Sequence, residues 1–424
     1  MNEAFLQYVW QHRLLDSRLE TTAGEEVIVE RVGERNSNAG PDFENARLII
    51  GGVQWAGNVE VHKKTSDWNH HRHSDDKGYN NVVLHVVYEH DCEIRTENGQ
   101  EPPVVELRRF IPEVVWNNYE HLMNPPAEIK IACCDRLSGV PDFRLNCYKE
   151  RLAVERLEQK SQMVRQMLED SKGGWETACY WLTAHYFGGK ANSFAFELLA
   201  KATPLNLLAR YKNNPLKIEA LLMGQAGLLE EYFDDDYPRQ LQTEYQALRK
   251  GYSLTPISGY LWKFFRLRPS SFPTVRISEF AALVAQSSSL FSKLLATKDA
   301  SSLYDFFNVE AADYWSDHYM FDKPTKASRK RAGKMLAESL IINAWVPLLF
   351  EYGVQHGRQD LKDTAVAILQ QLPAERNSIV GMWDEAGLKA KTAADTQALL
   401  QLYENYCKGH RCLDCQIGFC LIKN

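Results

Sequence analysis

Asp42 and Glu60 stand at equal distances before and after Gly51 in "AGPDFENARLIIGGVQWAGNVEVHKK", residues 39–64. The Gly51-Gly52 pair between two apolar runs is a hairpin signal. A turn centred there pairs residues whose numbers sum to about 102 or 103, which sets Asp42 opposite Glu60 or Val61. Directly opposed side chains on one face sit roughly 5 Å apart at Cβ. Two carboxylates at that spacing repel unless a cation lies between them or one is protonated. A hard divalent ion, Mg or Mn, suits such a pair. Strand alternation puts Glu60, His62 and Lys64 on one face. In this reading Asp42, Glu60 and the backbone carbonyl of Val61 bind the ion, while His62 or Lys64 orients or deprotonates an attacking water. The competing reading is a surface hairpin with solvated acids.

The stretch "TSDWNHHRHSDDKGYNNVVLHVV" then gathers His70, His71, His73 and His85 near Asp67, Asp75 and Asp76. Imidazole and carboxylate together suit a transition metal such as Zn or Mn. They also suit phosphate contact or acid–base work near neutral pH. The spacing matches no standard closed zinc site, so a polar loop with incidental histidines stands beside the functional reading. If the loop borders the carboxylates, His73 and His85 are the residues to expect there. His85, in an otherwise apolar run, also reads as a hydrogen-bonded core histidine.

A third cluster closes the chain. "CKGHRCLDCQIGFC" places Cys407, Cys412, Cys415 and Cys420 at a C-x4-C-x2-C-x4-C spacing. Four thiolates so close can hold one tetrahedral Zn or an iron–sulfur cluster. Lys408, His410 and Arg411 would offset their charge. Cys133-Cys134 in "IACCDRL" can substitute for one tail ligand, and a group of free thiols is the alternative. A structural role fits better than redox catalysis.

Two stretches could track a phosphate backbone. "WKFFRLRPSSFPTVR" sets Arg266, Arg268 and Arg276 among Trp262, Phe264, Phe265 and Phe272, and "FDKPTKASRKRAGK" supplies Lys323, Lys326, Arg329, Lys330, Arg331 and Lys334. Cations interleaved with stacking rings suit nucleic acid. Taken singly, each also reads as core aromatics beside a solvated basic helix start. No P-loop, dinucleotide fingerprint, nucleophile elbow or HExxH is present.

The elements that must position these groups divide the chain. At 424 residues it is too long for one ordinary core. Its formal net charge of -6 provides no global positive field, so any nucleic-acid contact must be local. The first residues lack a signal-peptide core, and no apolar run reaches the length of a membrane span. The expectation is a cytoplasmic protein with no membrane partner and reduced thiols. Nothing in the sequence fixes its oligomeric state. After an opening helix near Glu3 to Leu15, the runs "EEVIVERVG", "ARLIIG", "VQWAGNVEVH", "NVVLHVVYEH" and "PVVELRRF" are strand-like. "NVVLHVVYEH" is apolar on both faces and should be central. Beyond Pro125 the periodicity is helical. The fold class expected is α+β, with an N-terminal α/β domain over residues 1–125, an all-helical region over 126–400 and a cysteine-rich tail over 401–424.

The acid, turn, acid-x-base arrangement resembles the PD-(D/E)xK nuclease core. Pro41-Asp42 and Glu60-Val61-His62 occupy the motif positions, and the order of helix, hairpin and long strand is similar. The resemblance implies a restriction-endonuclease-like domain and Mg-dependent phosphodiester hydrolysis of nucleic acid. Histidine stands at position 62 where that family usually has lysine. Either His62 takes over the role, or Lys64 reaches in from the same face, or activity is lost. The last case leaves a non-catalytic nucleic-acid-binding or assembly protein with a degenerate nuclease fold. A further reading makes the His/Asp loop a separate hydrolase metal site. Some nucleases of that type also carry a C-terminal cysteine cluster that pins the domain with iron–sulfur. Over nearly its whole length the chain resembles a bacterial family catalogued as a domain of unknown function, through "NAGPDF", "GNVEVH", "SDWNHHRH", "YNNVVLHVVYEHD", "LLMGQAGLL", "RLRPSSFPTVR", "NAWVPLLFEYG" and "RCLDCQIG".

Overall fold

The β-branched runs near the N-terminus become one mixed sheet in the computed structural model, which describes residues 1–16, 18–287 and 289–423. Its strands are β1 (Leu19–Glu20), β2 (Glu26–Arg31), β3 (Glu34–Arg35), β4 (Phe43–Ile50), β5 (Val53–Lys64), β6 (Val82–Glu89) and β7 (Val104–Glu106). They lie in the order β1-β2-β4-β5-β6-β7, with β3 pairing β4 off that path. The pairings from β1 through β5 are antiparallel, and β6 and β7 add in parallel. Gly51 and Gly52 take φ of 57° and 83°, the left-handed pair that a tight hairpin turn needs.

Helix α1 (Glu3–Gln11) opens with the Asn2 side chain accepting the Phe5 N–H at 2.9 Å. Leu6 and Trp10, four residues apart and so on one helix face, share the sheet's apolar core with Phe43, Leu48, Val59, Val61, Leu84 and Val86. Strand alternation on β5 therefore sends Val59 and Val61 into that core and leaves Glu60 and His62 for the opposite face. β6, expected at the centre, lies next to the edge strand β7 but is hydrogen-bonded on both sides, and its first six residues are buried.

The cysteine tail does not stand alone. The chain splits into one unit made of Met1–Leu145 with Leu402–Asn424, and a second made of Asn146–Gln401. Helix α3 (Glu113–Met123) packs against the C-terminal helix Gln416–Lys423. Its Asn118 donates to the Ile422 carbonyl at 3.4 Å and accepts from Arg136 at 2.7 Å. Those contacts move the boundary from residue 125 to 145 and return the tail to the first unit.

The second unit is the helical region that the periodicity indicated. One apolar core runs through it from Leu157 to Ala393. Some of its buried polar groups pair with one another: Glu219 accepts from Trp315 Nε1 at 2.7 Å and from Ser278 Oγ at 2.8 Å, and Trp345 Nε1 donates to Thr183 at 3.1 Å. The stretch Lys334–Gln355 has the length and apolar composition of a membrane span, but 72% of its apolar window is buried within the protein, as for a core helix.

Glu279 in this unit is 1% exposed. Burial pushes its carboxyl up to about 7 from 4.5, although Arg276 lies 2.8 Å away. Between pH 4.5 and 7 the folded chain keeps a proton that the unfolded chain releases. Stability therefore falls as pH rises through that window. Glu279→Gln should flatten the slope and, above the window, stabilise this unit by up to about 3 kcal/mol, less what Arg276 loses with its partner. Urea midpoints measured below and above the window check this; an unchanged slope would refute it.

Candidate metal centre

The two hairpin acids meet because the ladder slips by one residue. Near the turn Ile50 pairs Val53, whereas at the open end Phe43 pairs Val59, with a bulge between them where Asn45 takes φ 58°. The slip brings Asp42 into line with Glu60 rather than Val61. Each carboxylate then holds the other's strand. The Asp42 N–H donates to Glu60 Oε2 at 2.9 Å, and the Val61 N–H donates to Asp42 Oδ2 at 3.0 Å. Gln7 on α1 donates to Asp42 Oδ1 at 2.9 Å. Burial, with Glu60 adding to it, pushes the Asp42 carboxyl up to about 7 against the pull of the Val61 N–H and Gln7.

The other Glu60 oxygen faces histidines. After β5 the chain makes the short helix α2 (Asp67–His70), reverses at Arg72 with φ 60°, and enters a 3-10 turn at His73–Asp75. Asp67 fixes the start of this loop by accepting the Lys64 N–H, and Asp91 accepts from Ser66 through both backbone and hydroxyl. Trp68 is fully buried beneath it, donating Nε1–H to the Arg95 carbonyl at 3.1 Å. The reversal turns His71 and His73 back over the polar face of β5.

Three imidazole nitrogens converge there, with one Glu60 oxygen beside two of them. Glu60 Oε1 lies 3.3 Å from His62 Nε2 and 3.3 Å from His73 Nε2, and His71 Nδ1 lies 3.1 Å from His62 Nε2. His62, His71 and His73 each offer a ring nitrogen within 4.8 Å of the others. Zinc–nitrogen and zinc–oxygen bonds of about 2.0–2.1 Å imply ligand atoms about 3.3 Å apart around a tetrahedral ion, close to the 3.1–3.3 Å of those three contacts, although Glu60 lies outside the set that the three rings form. His73 Nε2 is buried and makes no hydrogen bond, so it is aimed into the cluster without being satisfied by protein. Glu60, His62 and His73 are buried, and His71 is exposed, which leaves that side open to solvent.

A supporting layer orients these side chains. His62 Nδ1 lies 2.9 Å from His85 Nε2, and His85 is fully buried on β6 beside Glu60 in the parallel register. His73 stacks on Tyr79 at 3.7 Å between centroids. Burial first, then the neighbouring histidines, lower the His62 pKa to about 3 and hold that of His85 well below the ordinary value. Both rings are neutral at pH 7, the form that binds metal.

The structure thus joins the hairpin acids and the histidine loop into one site. Asp42, Glu60, His62 and His73 belong to it, and His85 lies beneath rather than at a rim. Lys64 does not reach in; its ammonium lies 3.5 Å from Glu89 on the neighbouring strand. The Val61 N–H serves Asp42. His71 was visible among the loop histidines, but nothing in the spacing singled it out. Trp68, Tyr79 and Gln7 carried no signal in the sequence.

The cysteine cluster changes one member. Cys407, Cys412 and Cys415 line a pocket together with Cys133, Leu122, Ala132, Tyr406, Arg411 and Gly418, and Cys420 is not in its lining. Burial raises the thiol pKa of Cys133, Cys407 and Cys412, and neighbouring sulfurs add to each rise.

The basic residues of the second unit divide. Lys330 is buried, donating Nζ–H to the Ser316 and Ser328 carbonyls at 2.8 and 2.9 Å over the Tyr319 ring, so it is a structural lysine and does not face phosphate. Arg276 is spent on Glu279, and Arg331 pairs with Glu310 at 3.0 Å. Arg266 and Arg268 are exposed, in a loop whose Tyr260 is 100% and Phe265 82% exposed.

The model of one protein family, described as a protein of unknown function (DUF2851), matches residues 3–378. No curated protein and no solved structure matches the chain.

Proposed function

Because the chain belongs to that family, whose description carries no activity, we propose from the site itself that the N-terminal unit is a metal-dependent hydrolase acting on phosphodiester bonds of nucleic acid. The observation that carries this reading is the convergence of the ring nitrogens of His62, His71 and His73 within 4.8 Å of one another, with Glu60 Oε1 3.3 Å from those of His62 and His73. Imidazole and carboxylate donors favour Zn or Mn over Mg. An ion held there lowers the pKa of a bound water towards neutrality and offsets charge on the transition state. Asp42 is a positioning residue in this scheme: its contacts with Val61 and with Glu60 fix the carboxylate that must face the metal.

Two features support nucleic acid as the substrate class. Helix, antiparallel meander and parallel addition of β6 follow the element order of a PD-(D/E)xK core. The loop bearing Tyr260, Phe265, Arg266 and Arg268 exposes rings and cations together, the composition of a stacking platform for single strands.

Metal-depleted protein reloaded with Zn, Mn or Mg should cleave labelled single- or double-stranded DNA or RNA with Zn or Mn, and a His62→Ala/His73→Ala chain should not. Cleavage that survives in the double variant sinks the site. Nucleic-acid binding without cleavage, by a chain that has bound the metal, favours the non-catalytic reading with a degenerate nuclease fold, to which histidine at position 62 also points.

A further inference from the structure

We infer that Cys133, Cys407, Cys412 and Cys415 are the ligands of an iron–sulfur cluster that ties the C-terminal segment to the first unit, and that Cys420 is not a ligand. Spacing alone selects the four tail cysteines. The fold substitutes Cys133 for Cys420, because four cysteines line one pocket and the fifth does not. Cys420 is buried on the C-terminal helix outside that lining.

The spacing of the sulfurs distinguishes a cluster from a single ion. Zinc–sulfur bonds of about 2.3 Å bring the sulfurs of a tetrahedral zinc site to about 3.8 Å from one another. Among the described residues, these sulfurs provide no set of three donor atoms that all lie within 4.8 Å of one another, whereas the imidazoles of the hairpin site do. Four cysteines that line one pocket without three of them closing on a point are the ligand set of a [2Fe–2S] or [4Fe–4S] centre. Arg411 lines the same pocket while its guanidinium pairs with Asp414 at 2.9 Å.

The surrounding backbone is shaped for the tail to be held there. A Cβ on Gly418 would lie 2.0 Å from the Cys412 carbonyl oxygen, so only glycine lets the C-terminal helix approach the ligand loop so closely. Cys412 Sγ also approaches the Leu122 carbonyl, at 3.8 Å. A cluster joining Cys133 to three cysteines far along the chain closes a very long loop, so its binding energy becomes folding energy for this unit.

The full chain purified without oxygen should contain iron and acid-labile sulfide in equal amounts and show a broad visible absorption band that dithionite bleaches. Cys420→Ser should keep both at the wild-type level. Cys133→Ser should lose both, as should Cys415→Ser. Zinc without sulfide, or neither iron nor zinc, in the anaerobic wild-type protein overturns the inference. So does loss of the cluster in Cys420→Ser with retention in Cys133→Ser. Should Cys133→Ser prove insoluble, the wild-type analysis and the Cys420→Ser chain still decide.

Discussion

His73→Ala should weaken binding of Zn or Mn by more than about a hundredfold, and His85→Phe by about ten- to a hundredfold, since orienting partners cost less than ligands. Lys64→Ala should leave affinity unchanged. The order follows from the distances. His73 Nε2 is buried without a hydrogen bond and faces Glu60 Oε1 at 3.3 Å, so its removal deletes a donor that no other residue replaces. His85 touches the cluster only through His62 Nδ1 at 2.9 Å. Phenylalanine at 85 fills the buried site but accepts no proton from that nitrogen, and the His62 ring loses its fixed orientation while keeping its ligand atom. Lys64 pairs with Glu89 and offers nothing to the ion. Competition against a chromophoric chelator measures all three chains. Equal affinities would show that the convergence is a hydrogen-bonded histidine cluster and not a metal site.

The parts of this site that could be read from residue order are those fixed by strand periodicity. Parity alone sends Glu60 and His62 to one face, and the glycine pair alone limits Asp42 to two partners. The choice between them depended on a bulge at Asn45, whose left-handed backbone carries no sequence signal as strong as glycine's. The loop residues were harder still. His71 reaches His62, and His73 reaches Glu60, only because Arg72, also left-handed, reverses the chain between them. Their height above β5 is set by Trp68, which read as one more aromatic. Cys133 joins the tail cysteines through the packing of α3 on the C-terminal helix, a long-range contact that local spacing cannot express. Lys330 failed for a different reason. Its composition suited phosphate, but three oxygens of Ser316 and Ser328 surround its ammonium, and burial with full pairing removes it from any surface.

Trp68→Ala tests whether that loop is held by packing independently of metal. The side chain is fully buried, and its ring meets His73 at 5.4 Å, Tyr79 at 5.7 Å and His85 at 5.2 Å between centroids. Removing a buried tryptophan costs about 3–5 kcal/mol. Two units with separate cores make a single global unfolding energy the wrong readout. Amide exchange in β5 and β6 reports on the first unit directly, and protection there should drop between about a hundred- and a few-thousandfold. Unchanged protection would mean that the loop rides on the sheet without stabilising it. Trp68→Phe should lose less, because it keeps most of the apolar area and gives up chiefly the bond to the Arg95 carbonyl, a loss of about 1–2 kcal/mol. The metal separates the two kinds of residue. A chain lacking Trp68 retains every ligand and loses only their alignment, so excess Zn or Mn should restore both its bound metal and any cleavage. A chain lacking His73 has lost a donor, and no excess of metal should restore its activity. If the two variants respond alike to added metal, His73 is a packing residue and the ligand set must be redrawn without it.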